Sequence, residues 1–228
     1  MTQARTKKIL QELRGLYPDA RCGLDYRSPF ELLIATILSA QCTDKRVNLI
    51  TPALFAVADS PEKILKLGEQ GLTSHIKTCG LYKAKARNIL NACQSLVSEH
   101  GGKVPEDFAA LTRLAGVGRK TASVVVSNAF AIPAMAVDTH VFRVSRRLGL
   151  AKGKNPHQVE LELQKAIPRN EWSEAHHLFI AHGRGLCGAR SPRCEVCPLT
   201  AVCLYYAALK TQTRASPSRP RLRPKKHP

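Results

Sequence analysis

One lysine, one aspartate and four cysteines are the residues of this chain whose types and spacing suit chemistry. Leu114 to Thr121 reads Leu-Ala-Gly-Val-Gly-Arg-Lys-Thr. Glycines at Gly116 and Gly118 let the backbone turn tightly and approach a partner with no Cβ in the way, and the apolar run after them reads as a helix. A glycine turn feeding a helix presents free N–H groups at the positive end of the helix dipole, which suits a phosphate. Lys120 stands at that end, where the dipole favours a neutral, nucleophilic amine over an ammonium. A Walker loop would need Gly-Lys-Ser/Thr, and here Lys120 follows Arg119. A dinucleotide fingerprint needs a preceding strand, whereas Glu106 to Arg113 reads as a short helix. Helix, glycine hairpin, helix is the pattern that remains. Asp138, eighteen residues beyond Lys120, is placed to cap the next helix by accepting backbone N–H groups.

Cys187, Cys194, Cys197 and Cys203 follow C-x6-C-x2-C-x5-C, four soft ligands close enough in sequence for one metal centre. A zinc ribbon shows two Cys-x2-Cys knuckles and this run has one. Cys22, Cys42, Cys79 and Cys93 are scattered and are expected to be free thiols. Met1 to Lys8 carries no apolar signal core, so a reducing compartment is expected rather than a secreted disulfide scaffold. Thirty-five Lys and Arg against seventeen Asp and Glu give a net charge of +18. An excess of that size selects a polyanion as partner, nucleic acid first, because Lys and Arg release counterions from phosphates. The longest largely apolar stretch, Thr121 to Phe142, is interrupted by Asn128, Pro133, Asp138 and His140, which rules out a membrane span.

The elements that must hold these residues read as helices throughout. Ile9, Leu10, Leu13 and Leu16 recur at helical spacing and Pro18 stops the run. Ser28-Pro29-Phe30-Glu31 combines a capping serine, a first-turn proline and a glutamate three residues after the cap. The helix it opens carries Phe30, Leu33, Ile34, Ile37 and Leu38 on its apolar face, and Gln41 falls at the corner before Thr43 caps the next helix. Pro52 should kink that third helix. Ser60-Pro61 opens a fourth, Gly68 and Gly71 punctuate the chain, and Leu81 is an apolar residue on a loop. A long helix runs from Lys83 to Glu99. Val124-Val125-Val126 is taken as helix because its neighbours are helical and no partner strand exists. Asn155-Pro156 caps a helix to Ile167, and Trp172 to His182 forms another, in which His176, His177 and His182 read as packing residues. From Lys210 proline, serine and basic residues alternate, which predicts a disordered basic tail over 210–228.

Hairpin, lysine, aspartate and cysteine run occur together, and the chain from about Ile9 to Tyr206 resembles the endonuclease III branch of the helix-hairpin-helix DNA glycosylases. It departs from their usual hairpin at Ala115, where proline is common. The resemblance implies an all-α fold of two helical domains with a DNA-binding cleft between them. One is a six-helix barrel-like domain with the hairpin, residues 22–133; the other is an iron–sulfur cluster domain formed by 1–21 with 134–209. It implies that Lys120 attacks C1′ of the damaged nucleotide and forms a Schiff base before β-elimination. Asp138 then accepts a proton or stabilises the sugar cation. Gln41 and Leu81 would fill the gap left by the extruded base, and Gly116, Val117, Gly118, Arg119, His140 and Arg143 would contact the DNA. The four cysteines would hold a [4Fe–4S] cluster, with Arg184, Arg190 and Arg193 around it shaping a phosphate-binding surface. The implied partner is double-stranded DNA with an oxidised pyrimidine or an abasic site, met by a monomer in a bacterial-type cytoplasm, at the nucleoid. Two rival readings are a monofunctional, adenine-glycosylase-like enzyme and a non-catalytic DNA-binding iron–sulfur module.

Overall fold

A computed structural model describes residues 3–215, and they are helical with no strand among them. The helices are α1 (Gln3–Leu16), α2 (Pro29–Leu38), α3 (Asp44–Val57), α4 (Pro61–Ile76), α5 (Tyr82–His100), α6 (Phe108–Arg113), α7 (Arg119–Ala129), α8 (Thr139–Leu148), α9 (Pro156–Ala166), α10 (Trp172–Gly185) and α11 (Leu204–Ala215). Short 3-10 turns lie at Arg169–Glu171, Cys194–Val196 and Pro198–Val202. The Val124–Val126 run is helical as expected, within α7. Non-helical backbone at Gly68 breaks α4 where the sequence placed its punctuation. No helix among the described residues is long and apolar enough to cross a membrane.

Two apolar cores organise the molecule. One gathers side chains from α2 to α7 around Leu33, Ile34, Leu54, Ile89 and Val125. The other joins Ile9, Leu10 and Leu13 of α1 to Val141, Val159, Phe179 and Leu199 from the C-terminal half. Helix α2 is the centre of the first core and is buried all round, from Phe30 to Leu38. That goes beyond the single apolar face read from its spacing, and results from an apolar sequence with no polar stripe. Its ends are held by polar contacts. The Ser28 hydroxyl accepts from Glu31 N, and the Glu31 carboxylate accepts from Arg27 N at 2.7 Å. At the other end the buried Lys85 ammonium, from α5, donates to the Leu38 carbonyl at 2.8 Å. A cation there meets the negative end of the α2 dipole and fixes where the loop carrying Gln41 begins.

Between α7 and α8 the chain is extended and serves both cores at once. Ala134 and Ala136 pack into the first core, while Met135 and Val137 pack into the second. The alternation is that of extended backbone, whose successive side chains point to opposite faces. Asp138 comes directly after. Polar ties also bridge the two halves: Arg119 to Glu160 at 2.8 Å, Arg184 to Asp44 at 2.8 Å, and the His177 ring to the Asn128 amide oxygen at 3.1 Å.

The expected tail starts too early. Helix α11 carries the chain through Lys210 to Ala215, and residues 216–228 lie outside the described part. Leu204 to Gln212 is rich in Ala, Leu, Lys and Gln, good helix formers, and the Lys210 ammonium lies over the Tyr206 ring one turn back, 4.9 Å from its centre. The proline- and serine-rich composition begins only at Ser216.

Candidate active site and cysteine loop

The hairpin glycines differ in what they do. Gly116 has φ +78°, and a Cβ there would stand 2.9 Å from the Asn88 Cβ, so both backbone and packing require glycine. Gly118 has an ordinary φ of −87° and open space where a Cβ would be. Its lack of a side chain leaves room for something outside the chain. Gly118 is also the N-cap of α7, and no side chain caps that helix. By contrast α2, α3, α4, α6, α8 and α9 are capped by the side chains of Ser28, Thr43, Ser60, Asp107, Asp138 and Asn155. The first N–H groups of α7 are therefore left for a partner.

Lys120 is exposed in the first turn of α7, on the wall of a cavity of about 450 Å³. Val137, the residue before Asp138, lines the same cavity, with Asn155 and His157. The Lys120 charge also reaches both halves of the molecule. On α10, burial first and then the nearby Lys120 charge lower His177 to about 4, while on the other side the same charge opposes the upward push that burial gives the Cys22 thiol. Buried His176, lowered to about 3 chiefly by burial, shares a hydrogen bond with the Ala136 carbonyl at 2.7 Å, which fixes the extended segment just before Asp138. Asp138 is half-buried. Its Oδ1 accepts from His140 N and Val141 N, each at 2.8 Å, and Oδ2 has no protein partner among the described residues. A carboxylate anchored by one oxygen and free at the other can take a proton or face a cation.

Gln41 and Leu81 occupy facing loops. Both have left-handed backbone, φ 51° and 59°, a conformation that costs a non-glycine residue about 1–3 kcal/mol. A Cβ on Gly80 would lie 3.6 Å from the Gln41 carbonyl oxygen, and the Cys42 and Cys79 thiols touch at 3.7 Å. Gln41 is exposed, and Leu81 keeps 61% of its surface exposed at the start of uncapped α5. A large apolar side chain held out on strained backbone has no packing reason to be there.

Two arginines expected at the DNA are engaged by the protein itself. The Arg119 guanidinium grips the Glu160 carboxylate through Nη2 at 2.8 Å and Nε at 3.3 Å, and lies over the Phe108 ring. Arg143 donates to the carbonyls of Cys187, Gly183 and Thr139 and meets the His140 ring nitrogen at 3.2 Å. His140 is packed on Gly183 of α10, whose Cβ would come within 2.9 Å of it. These side chains bind elements together, and a phosphate contact by the Arg119 or Arg143 guanidinium would compete with those bonds. Glu160 and Phe108 were not singled out from sequence; the visible signal is a glutamate beside Val159 in an otherwise apolar helix stripe.

The four half-buried cysteines line one small, partly open cavity whose wall includes Leu148, Leu199, Tyr205 and Tyr206. Burial first, then the Cys203 and Cys187 thiols, raise the Cys194 thiol, and the same groups act on Cys197. Arg147 donates to the Cys187 sulfur at 3.4 Å and to the Gly188 carbonyl at 2.7 Å, and stacks on Tyr205. No set of three His, Cys, Asp or Glu side chains among the described residues converges as a site for a single metal ion. An all-sulfur donor set around a cavity, with a cation beside it, fits an anionic soft-metal thiolate centre. Of the arginines expected around the loop, Arg184 pairs with Asp44 and Arg193 donates to the Gly185 carbonyl, while exposed Arg190 has no partner among the described residues.

Residues 34–169 match the HhH-GPD superfamily of base excision DNA repair proteins. The chain is 53% identical over 203 residues to endonuclease III of Rickettsia conorii, covering 89% of this chain and 97% of that protein. To the Escherichia coli K12 endonuclease III it is 49% identical over 205 residues, 90% of this chain and 97% of that protein. Its fold is similar to that of a solved trapped endonuclease III–DNA covalent intermediate, with a TM-score of 0.87, 46% identity, and coverage of 92% of this chain and 99% of that one.

Proposed function

Because the chain belongs to the endonuclease III family, base excision repair DNA glycosylases with abasic-site lyase activity, we propose how its own residues divide that work. The substrate is duplex DNA carrying an oxidised pyrimidine or an abasic site, and the protein acts as a monomer. Residues 22–133 and the pairing of 1–21 with 134–209 form two domains, and the duplex lies across the junction on which Lys120 stands. The Lys120 amine attacks C1′, the N-glycosidic bond breaks with its electron pair leaving on the base, and the sugar ring opens to a Schiff base. Loss of a proton from the adjacent carbon then expels the 3′ phosphate. Asp138, anchored through Oδ1, uses Oδ2 to take the proton released by the attacking amine and to stabilise the cationic sugar. The backbone N–H groups at Gly118, Arg119 and Lys120 hold a phosphate, with Gly116 and Val117 shaping that approach. Gln41 and Leu81 fill the space of the extruded base.

Cys187, Cys194, Cys197 and Cys203 hold a [4Fe–4S] cluster, which when bound cross-links the loop through iron–thiolate bonds. Arg147 then stands beside an anionic centre, and Arg190 faces the solvent for a phosphate.

The observation that carries the lysine assignment is its place at an uncapped helix start on a cavity wall shared with the residue before Asp138. Borohydride trapping on an abasic duplex tests it. Wild type is expected to give a covalent adduct, and Lys120→Ala none, with strand cleavage down by about 10³-fold or more. An adduct that persists in the variant overturns the assignment. A monofunctional enzyme would give no adduct even as wild type.

A further inference from the structure

Among the cysteines outside the C-terminal loop, Cys42 and Cys79 are a pair. Their sulfurs are 3.7 Å apart although the residues are 37 positions apart in sequence. Cys42 directly follows Gln41, and Cys79 precedes Leu81 by two residues, so the thiols meet at the base of the two loops that present those side chains. We propose that Cys42 and Cys79 form a thiol–disulfide exchange site, at which a low-molecular-weight disulfide converts them to an intramolecular disulfide that ties the Gln41 loop to the Leu81 loop.

The two thiols have different access. Cys42 is half-buried and reachable from solvent, whereas Cys79 is 1% exposed. Burial, then the bond from Cys42, push Cys79 up to about 11, while the Lys85 and Arg46 cations pull the other way. Cys42, the more accessible of the two, is therefore the entry point. Its thiolate attacks one sulfur of the small disulfide, forming a mixed disulfide and releasing one thiolate. Cys79, losing its proton to water, then attacks the Cys42 sulfur, forming the Cys42–Cys79 bond and releasing the second thiolate. The small disulfide is reduced by two electrons and the protein pair oxidised by two. A disulfide bond is about 2.05 Å long, so the sulfurs need to approach by roughly 1.7 Å, a movement that loop residues can supply. Nothing comparable is available to Cys93, which is fully buried inside the first core.

The consequence for activity rests on the proposed roles of Gln41 and Leu81. If those side chains must enter the duplex from two loops that adjust separately, a covalent tie between the loops resists the adjustment.

The test uses the cluster-loaded protein with glutathione disulfide as probe, the visible absorption of the cluster being followed throughout. After free thiols are blocked, peptide mapping is expected to find residue 42 linked to residue 79, reversed by dithiothreitol. Cys42→Ser and Cys79→Ser should each abolish the link, and Cys79→Ser should stop the reaction at a mixed disulfide on Cys42. Wild type that gives only the mixed disulfide, or none, overturns the site. In the second arm, cleavage of an abasic duplex should fall by about tenfold on oxidation, equivalent to about 1.4 kcal/mol, with Cys42→Ser insensitive. A linked protein of unchanged activity overturns the restraint. Leu81→Ala separates the two ideas, because full activity in that variant removes the intercalation reading while the mapped disulfide stands.

Discussion

The hairpin and the cysteine loop lie in the same molecule and are built by opposite means. At the hairpin, protein contacts set the frame and leave the Gly118 face open: Gly116 fits only as glycine against Asn88, Arg119 is gripped by Glu160 and Phe108, and Asp138 is anchored to its own helix start. The cysteine loop is tied mainly at its start, where Arg143 and Arg147 donate to the Cys187 and Gly188 carbonyls. It consists of short 3-10 turns, and within it only Leu199 is buried in a core. One motif is thus framed by the protein alone, while the other, on the proposed function, would be completed by a bound cluster. A surface that must present a lysine at a fixed angle gains from preorganisation, and a segment without enough apolar area to fold can gain it from metal bonds.

The greatest loss bearing on this contrast is expected at Asp138. Asparagine caps a helix about as well as aspartate, so Asp138→Asn should leave the melting temperature almost unchanged while strand cleavage falls by about 10²- to 10³-fold. A large drop in melting temperature would mean that the residue is chiefly a cap. Next comes loss of the proposed cluster. Anaerobic chelation of iron is expected to open residues 187–203 to proteolysis while amide protection in α2 to α7 persists; equal loss of protection in both regions would erase the distinction drawn between them. The mildest variants separate the two glycines. Gly116→Ala should cost about 1–3 kcal/mol of stability through its backbone angle and the contact with Asn88. Gly118→Ala should be within about 0.5 kcal/mol of wild type in stability but weaken binding to duplex DNA. Equal melting curves for the two variants would remove the argument that one glycine serves the fold and the other the partner.

Much of this was legible in the chain. Capping residues Ser28, Thr43, Ser60, Asp138 and Asn155 announced helix starts because a side chain that accepts from its own backbone is a local event. The corner at Gln41 and the loop at Leu81 were placed by the same local signals, but not their left-handed backbone or the contact between the loops, which depend on how α2 and α5 pack. Arg119 was assigned to the DNA by the resemblance alone; its partner Glu160 lies 41 residues away, beyond any spacing rule. Lys85 was invisible for the same reason, being a charged residue whose single acceptor is a carbonyl at the end of another helix. The error at the C-terminus came from extending the composition of residues 216–228 back over a segment whose own residues favour a helix.

The extended segment from Ala134 to Val137 has a mechanical consequence. Because its alternate side chains are lodged in different cores, it acts as a seam stitched from both sides, and neither half can swing away without pulling out a stitch. A hinge is what this joint lacks. On the proposed function, the strain of base extrusion would then fall mainly on the nucleic acid, and damage that softens the stack would be the lesion that such a joint accepts at least cost.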